Sequence, residues 1–245
     1  METNLYADRL LTQSASLLVK IIPTGTVFPI LRGPLAGAKW IAGAASGSAK
    51  GLSVIWNLAE PVQLDLGRKL VTPESICFDI GAHVGLYTLL FARYAKHVYA
   101  FEPLPRNIKF LVRTLELNRV RNATIVPCAA SDCTGLTAFN EGQNPAMGCL
   151  DDTGSQPVAA VALDDFVANL KVIPSLLKID VEGAEVQVLQ GCANLISAHK
   201  PAILLSTHGD ELRSKCLDML ASNYLRVIPL NHVTIASASE FAFLA

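Results

Sequence analysis

From about residue 75 onward the chain alternates short apolar runs with amphipathic stretches, and few architectures accept that rhythm. The runs "ICFDI", "VYAFE", "ATIVPCAA", "LLKIDV" and "AILLS" are nearly continuous in apolar residues, as strands buried on both faces are. Between them, "GLYTLLFARYA" and the segment carrying Ile108, Leu111, Val112 and Leu115 repeat at helical spacing. Val186, Leu189, Ala193 and Ile196 do the same and predict one further helix, and "DELRSKCLDMLAS" predicts another. Strand followed by helix, repeated, implies a mostly parallel sheet covered on both faces: a doubly wound α/β fold. Two last strands are expected at "LRVIPL" and "VTIAS".

One segment interrupts the rhythm. Residues 133–165 hold strand-like "LTAF" and "VAAVAL" around the polar loop "NEGQNPAMGCLDDTGSQ", which is expected to lie over the site and select what enters it. Ahead of the alternating region, residues 1–70 read as an extension packing on a core domain of residues 71–245. In it, residues 4–22 have the pattern of an amphipathic helix, 32–51 read as a Gly/Ala/Ser-rich loop, and "LSVIW" and "VQLDL" read as two short strands of a hairpin.

Composition narrows the function classes. Twenty Lys and Arg against 21 Asp and Glu leave no basic excess for a nucleic-acid partner. Six cysteines, none in a CxxC pair and several inside apolar runs, read as buried thiols of a cytoplasmic protein rather than as a disulfide frame or a zinc site. The apolar tracts are broken by Pro and polar residues and are too short for a membrane span. The apolar N-terminal helix leaves a homo-oligomer open.

In an open α/β sheet ligands sit at the carboxyl ends of the strands, so the residues just after each strand carry the chemistry. The first strand ends in "DIGAHVG", Asp79 to Gly85. Gly81 permits a tight turn, and Gly85 opens a helix whose free N–H groups favour negative charge. The second strand ends at Glu102, 23 positions beyond Asp79. That is close to the roughly 20-residue offset at which a carboxylate meets ribose hydroxyls. A nicotinamide cofactor would call for G-x-G-x-x-G, but His83 stands where its middle glycine belongs, so a pyrophosphate loses its close backbone approach. This favours a nucleoside-like cofactor without phosphates, S-adenosylmethionine.

The run "CFDIGAHVGLYTLLFARYAKHVYAFEPLPRNIKFLVRTLELN", with "AASDCTG", "LDDF" and "LLKIDVEGAEVQVLQG", resembles the FkbM-type family of S-adenosylmethionine-dependent methyltransferases, closely so over about residues 75–210. The resemblance implies a Rossmann-like methyltransferase sheet of seven strands, the last one antiparallel. It implies that Asp79, Gly81 and Gly85 border the methionine part of the cofactor, that Glu102 holds the ribose, and that Ser131 and Asp132 lie near the adenine. Family members commonly have Asn where this chain has His83, and the contact made there differs accordingly. It also implies an acceptor hydroxyl on a sugar, glycolipid or natural-product scaffold.

O-methylation needs a base or a metal, because a hydroxyl is a weak nucleophile. "KIDVEGAE" sets Asp180, Glu182 and Glu185 at and beyond the fourth strand, and "STHGDE" sets His208 beyond the fifth. Asp180 and His208 are the candidate catalytic residues. Glu182 and Glu185 fit equally the role of helix-capping carboxylates. Asp180, His208 and Asp210 are oxygen and imidazole donors suited to Mg or Mn, although their spacing imposes no ligand geometry. Two other readings stay open: a nicotinamide-dependent oxidoreductase, and a cofactor-binding module of the same fold without catalysis.

Overall fold

The computed structural model describes residues 22–44, 51–140, 149–150 and 156–245. The predicted helix over 4–22 lies outside these residues apart from Ile22, and so does most of the polar loop. The chain divides into two compact units, Met1–Pro61 and Val62–Ala245.

The first unit contains a small antiparallel hairpin, β1 (Val27–Pro29) with β2 (Lys39–Ile41), followed by a 3₁₀ turn at Leu52–Trp56. Trp40 and Ile41 of β2 are fully buried. The hairpin expected from "LSVIW" and "VQLDL" is therefore corrected twice. "LSVIW" buries the adjacent residues Val54 and Ile55, which a strand would point to opposite faces, and it is bounded by left-handed Gly51 and Asn57. "VQLDL" belongs to helix α1 (Pro61–Leu70). Proline at the first helical position is pre-organised for a helix, and the burial of Gln63, Leu64 and Gly67 has helical spacing.

The second unit is built on a seven-stranded sheet. Its elements in chain order are β3 (Ile76–Ile80), α2 (Leu86–Ala92), β4 (His97–Phe101), α3 (Pro105–Leu117) and β5 (Ala123–Val126). After an inserted sheet come α4 (Leu163–Leu170), β10 (Leu176–Ile179), α5 (Glu185–Gln190), α6 (Ala193–His199), β11 (Ala202–Ser206), α7 (Asp210–Ala221), β12 (Arg226–Pro229) and β13 (Glu240–Leu244). The strand order is β12-β13-β11-β10-β3-β4-β5, and the last strand, β13, runs antiparallel to both its neighbours. β3 and β10 lie side by side at the centre, in parallel, with Asp79 opposite Lys178.

Both faces are covered. Phe78, Ile80, Leu177, Ile179, Ile203 and Leu205 pack with Leu163, Val188, Ile196 and Leu220 from the helices α4–α7. On the other face Gly67 of α1 lies against Leu90 and Phe91 of α2 and Leu204 of β11, close enough that a side chain there would crowd all three.

Three further expectations are corrected. The strand "ATIVPCAA" is two: β5 stays in the main sheet, while β6 (Ala129–Ser131) joins a second sheet of four strands. Pro127, lacking an N–H, stands at the break. That second sheet contains the expected strands as β7 (Gly135–Asn140) and β9 (Gln156–Ala162), with β8 (Cys149–Leu150) on its edge. The single helix read through Ile196 is two, α5 and α6. A side chain at Gly191 would stand 1.9 Å from the Ser131 carbonyl oxygen, so the chain passes β6 at this point rather than continuing the helix. "VTIAS" makes a 3₁₀ turn at Ile235–Ser237 with Val233 nearly fully exposed, and the final strand is "EFAFL".

Candidate active site

The carboxyl ends of β3, β4, β10 and β11 carry Asp79, Glu102, Asp180 and Ser206–His208. Asp79 is almost completely buried, and its Oδ2 accepts a hydrogen bond from Thr88 Oγ1 in α2 at 2.5 Å. Burial raises its carboxyl to about 6 from an ordinary 3.8, against the opposing effects of Thr88 and Lys178.

The turn after β3 is fixed by its own backbone. The N–H groups of Gly81 and Ala82 both donate to the Phe101 carbonyl, at 3.0 and 2.9 Å. Gly81 has φ of 80°, and a Cβ there would meet the Asp180 carbonyl oxygen at 1.8 Å, so this glycine is what lets the β3 and β10 turns touch. Gly85 is left-handed too, and its missing Cβ faces Leu111 of α3, a packing contact inside the fold. His83, at φ 51°, donates its backbone N–H to Glu102 Oε2 at 2.8 Å. Its ring Nε2 is buried without a hydrogen-bond partner among the described residues, and burial lowers its pKa.

Glu102 is buried at the end of β4. Its Oε1 accepts from the Leu104 N–H at 2.9 Å and from Asn107 Nδ2 at 3.2 Å. With the His83 bond this occupies three of about four acceptor positions of a carboxylate, leaving room for about one more donor. Burial is the main influence on its pKa, which is raised. Ser131 is buried and donates to exposed Asp132 Oδ1 at 3.0 Å. Ser131 ends β6, in the second sheet, and Asp132 follows it.

The other half of the site follows β10. Lys178, a buried lysine, places Nζ 3.0 Å from Asp180 Oδ2 and donates to Ser206 Oγ at 2.9 Å. Ser206 in turn donates to Glu240 Oε2 at 2.9 Å. Asp180 keeps its other oxygen, Oδ1, toward His208 Nε2 at 3.7 Å, and Glu182 Oε2 lies 3.3 Å from the same nitrogen. The opposite ring nitrogen, Nδ1, is 2.7 Å from Oε1 of fully buried Glu185. That oxygen also accepts from the Gly183 N–H at 3.0 Å, so Glu185 caps the turn and orients the imidazole together. The hydrogen bond to Glu185 raises His208 to about 9, reinforced by the charges of Asp180 and Glu182 and opposed by burial.

The structure thus joins Asp180 and His208 as the sequence suggested, and adds Glu182 and Glu185 to them. Asp210 goes elsewhere, with its carboxylate 2.9 Å from Arg213 on the same helix and nearly fully exposed. Sequence reasoning passed over Thr88, Ser206 and Glu240. All three support charged side chains, and only a register such as Ser206 opposite Glu240 could have marked them.

Comparisons with known proteins bear on the family and the fold. A family model described as the methyltransferase FkbM domain matches residues 79–226. "Methyltransferase 1" of Beauveria bassiana is 30% identical over 146 residues, covering 48% of this chain and 58% of that protein. The hexuronic acid methyltransferase AglP of Haloferax volcanii is 27% identical over 130 residues, covering 51% and 53%. The chain therefore spans somewhat more than half the length of these curated relatives. A solved structure, the methyltransferase FkbM from Methylobacillus flagellatus, superposes with a TM-score of 0.52 at 20% identity, covering 71% of this chain and 44% of that one, a likeness of fold. Among the described residues no helix is long and apolar enough to cross a membrane.

Proposed function

The chain belongs to the FkbM methyltransferase family, and on that premise we propose that it methylates a hydroxyl of a sugar, glycolipid or natural-product scaffold using S-adenosylmethionine. The observation that carries this reading is the pairing of two acidic turns across the β3–β10 switch point, with His208 oriented by Glu185 at its open edge. The donor set suits the cofactor. A sulfonium and an ammonium group call for anions, which Asp79 and Asp180 supply, and a ribose hydroxyl calls for the acceptor position still open on Glu102. Ser131 and Asp132 would border the adenine. His83 fills the place where a pyrophosphate would need a glycine, which disfavours the nicotinamide alternative.

When bound, S-adenosylmethionine supplies an electrophilic methyl group. The chain's own task is alignment and activation of the acceptor. Asp79, Gly81 and Glu102 form one rigid wall of the crevice. Asp180 and His208 act on the acceptor: Asp180 Oδ1 accepts its O–H and takes the proton as the oxygen is methylated, and His208, held charged by Glu185, positions that carboxylate and passes the proton on to solvent at the open edge. Lys178 keeps Asp180 from turning away by holding its other oxygen. The relative named for hexuronic acid supports a sugar-class acceptor. Asp180, Glu182 and His208 are also the residues that would hold a divalent cation, their donor atoms lying within 4.8 Å of one another.

The test is transfer of an isotopically labelled methyl group to a panel of neutral sugars, uronic acids and glycolipids. Incorporation that is retained after base treatment, which cleaves methyl esters but not ethers, and that is lost in Asp180→Asn supports the reading. A folded chain that binds the cofactor but labels nothing in the panel would favour the non-catalytic module.

A further inference from the structure

The turn after β10 brings together more negative charge than the described residues neutralise. Asp180, Glu182 and Glu185 converge on one imidazole, and among the described residues the cations paired with these three carboxylates are His208 itself and Lys178, which is turned to Asp180 Oδ2 and Ser206. Three donor atoms remain directed at one small volume: Asp180 Oδ1, Glu182 Oε2 and His208 Nε2, all within 4.8 Å of one another. The two separations from His208 Nε2 are 3.3 and 3.7 Å. Neighbouring ligands set about 2.1 Å from an ion at right angles lie about 3 Å apart, so small side-chain movements would close the shell.

Glu185 supplies the second observation, from behind the imidazole. It is completely buried and its side chain runs to His208 Nδ1, yet its second oxygen, Oε2, has no hydrogen-bond partner among the described residues. A metal-ligating histidine characteristically donates its other ring N–H to such a carboxylate, which fixes the tautomer and leaves the far nitrogen's lone pair for the ion. Glu185, His208 and the space beyond Nε2 have that order.

We propose that Asp180, Glu182 and His208 bind one divalent cation of the Mn²⁺ or Mg²⁺ class, with Glu185 as the carboxylate that orients His208. Two carboxylate oxygens and one imidazole form a hard donor set with positions left for water or substrate oxygen. For the methyltransferase reading, on which only the ion's role rests, the vacant positions take the acceptor hydroxyl. Bound through its oxygen, that hydroxyl loses its proton to solvent more readily.

The experiment is a titration of the chelator-treated full chain with Mn²⁺, following the electron paramagnetic resonance signal of the free ion, without cofactor or acceptor. The expected result is one ion per chain with micromolar affinity, displaced by excess Mg²⁺. Glu182→Gln and His208→Asn should weaken binding at least tenfold, and Glu185→Gln by roughly 10–100-fold, as loss of an orienting partner does. Melting curves of each variant confirm folding, and the wild-type titration decides the matter even if a variant fails to fold. No saturable Mn²⁺ binding by the wild type, or equal affinity in all folded variants, overturns the proposal. Titration of the same sample with S-adenosylmethionine separates the two claims: Mn²⁺ binding without cofactor binding keeps the metal site and removes the methyltransferase role.

Discussion

Two acidic turns face each other at the centre of the sheet, and different forces hold them. The first, Asp79 to Gly85 after β3, is fixed by backbone: paired N–H groups on the Phe101 carbonyl, two left-handed glycines, and a His83 N–H tied to Glu102. The second, Asp180 to Glu185 after β10, is fixed by charge: Lys178 on one side of Asp180, and His208 drawing in three carboxylates on the other. Under the proposed function the difference separates scaffold from chemistry. A wall that must present a cofactor in one pose is best made of backbone that cannot move. A group that must bind and release a proton or an ion needs side chains whose charges are balanced by what they hold.

The comparison breaks most sharply at its point of contact. Gly81→Ala inserts a carbon 1.8 Å from the Asp180 carbonyl oxygen in a left-handed turn, with no room on either side. We expect a loss of more than about 4 kcal/mol, seen as a collapsed denaturation midpoint or no soluble protein. An Ala variant with a near wild-type midpoint would mean that the two turns can separate.

Next in size is Asp180→Asn. It takes from Lys178, 2% exposed, the carboxylate 3.0 Å away, and because Asp180 is 32% exposed and Asp79 still faces the lysine the cost is roughly 1–3 kcal/mol. Urea unfolding should show the loss, and Lys178→Met in the Asp180→Asn background should recover part of it. The double variant would then be more stable than the single one but still inactive in methyl transfer.

Asp79→Asn sharpens the contrast from the other wall. The folded carboxyl titrates near 6 while the unfolded one titrates near 3.8. The folded chain therefore keeps a proton that the unfolded chain has lost, so stability falls as pH rises through that window and levels off above about 6. The ionised form carries a penalty on the order of 3 kcal/mol at neutral pH. Asn should stabilise the chain at pH 8 by roughly 1–3 kcal/mol and leave it unchanged at pH 3.5, while weakening cofactor affinity. Equal effects at both pH values would show that Asp79 is not strained by its charge. The smallest effect belongs to Gly183→Ala, where the nearest atom to an added Cβ is Leu212 Cδ1 at 4.0 Å. Only the left-handed backbone is penalised there, by about 1–2 kcal/mol in a thermal or denaturant melt.

These particulars also explain what could be read from the sequence. β3, β4, β10 and β11 were legible because central parallel strands are apolar on both faces, and the acids at the ends of the first three and His208 after the fourth stand out against those runs. α1 was not, because Val62, Leu64 and Leu66 imitate strand alternation while the burial that decides the matter comes from tertiary packing at Gly67. The break between α5 and α6 depends on the Ser131 carbonyl, 60 residues away in sequence, and no local pattern records it. "EFAFL" carried the correct signal, a short run apolar on both faces, and "VTIAS" only looked better by β-branched content. Of the site, Asp79, Glu102, Asp180 and His208 could be found as strand-end residues. That Glu182 rather than Asp210 would stand beside His208 followed from a left-handed Glu182 and an Arg213 one helical turn away, neither visible without coordinates.

The central claim is that the β3–β4 wall binds S-adenosylmethionine, and calorimetric titration of the full chain with that compound and its demethylated product tests it most directly. We predict micromolar binding of both, weakened at least tenfold by Glu102→Ala in a protein whose melting curve shows it folded. A folded wild-type chain that binds neither compound would contradict the account.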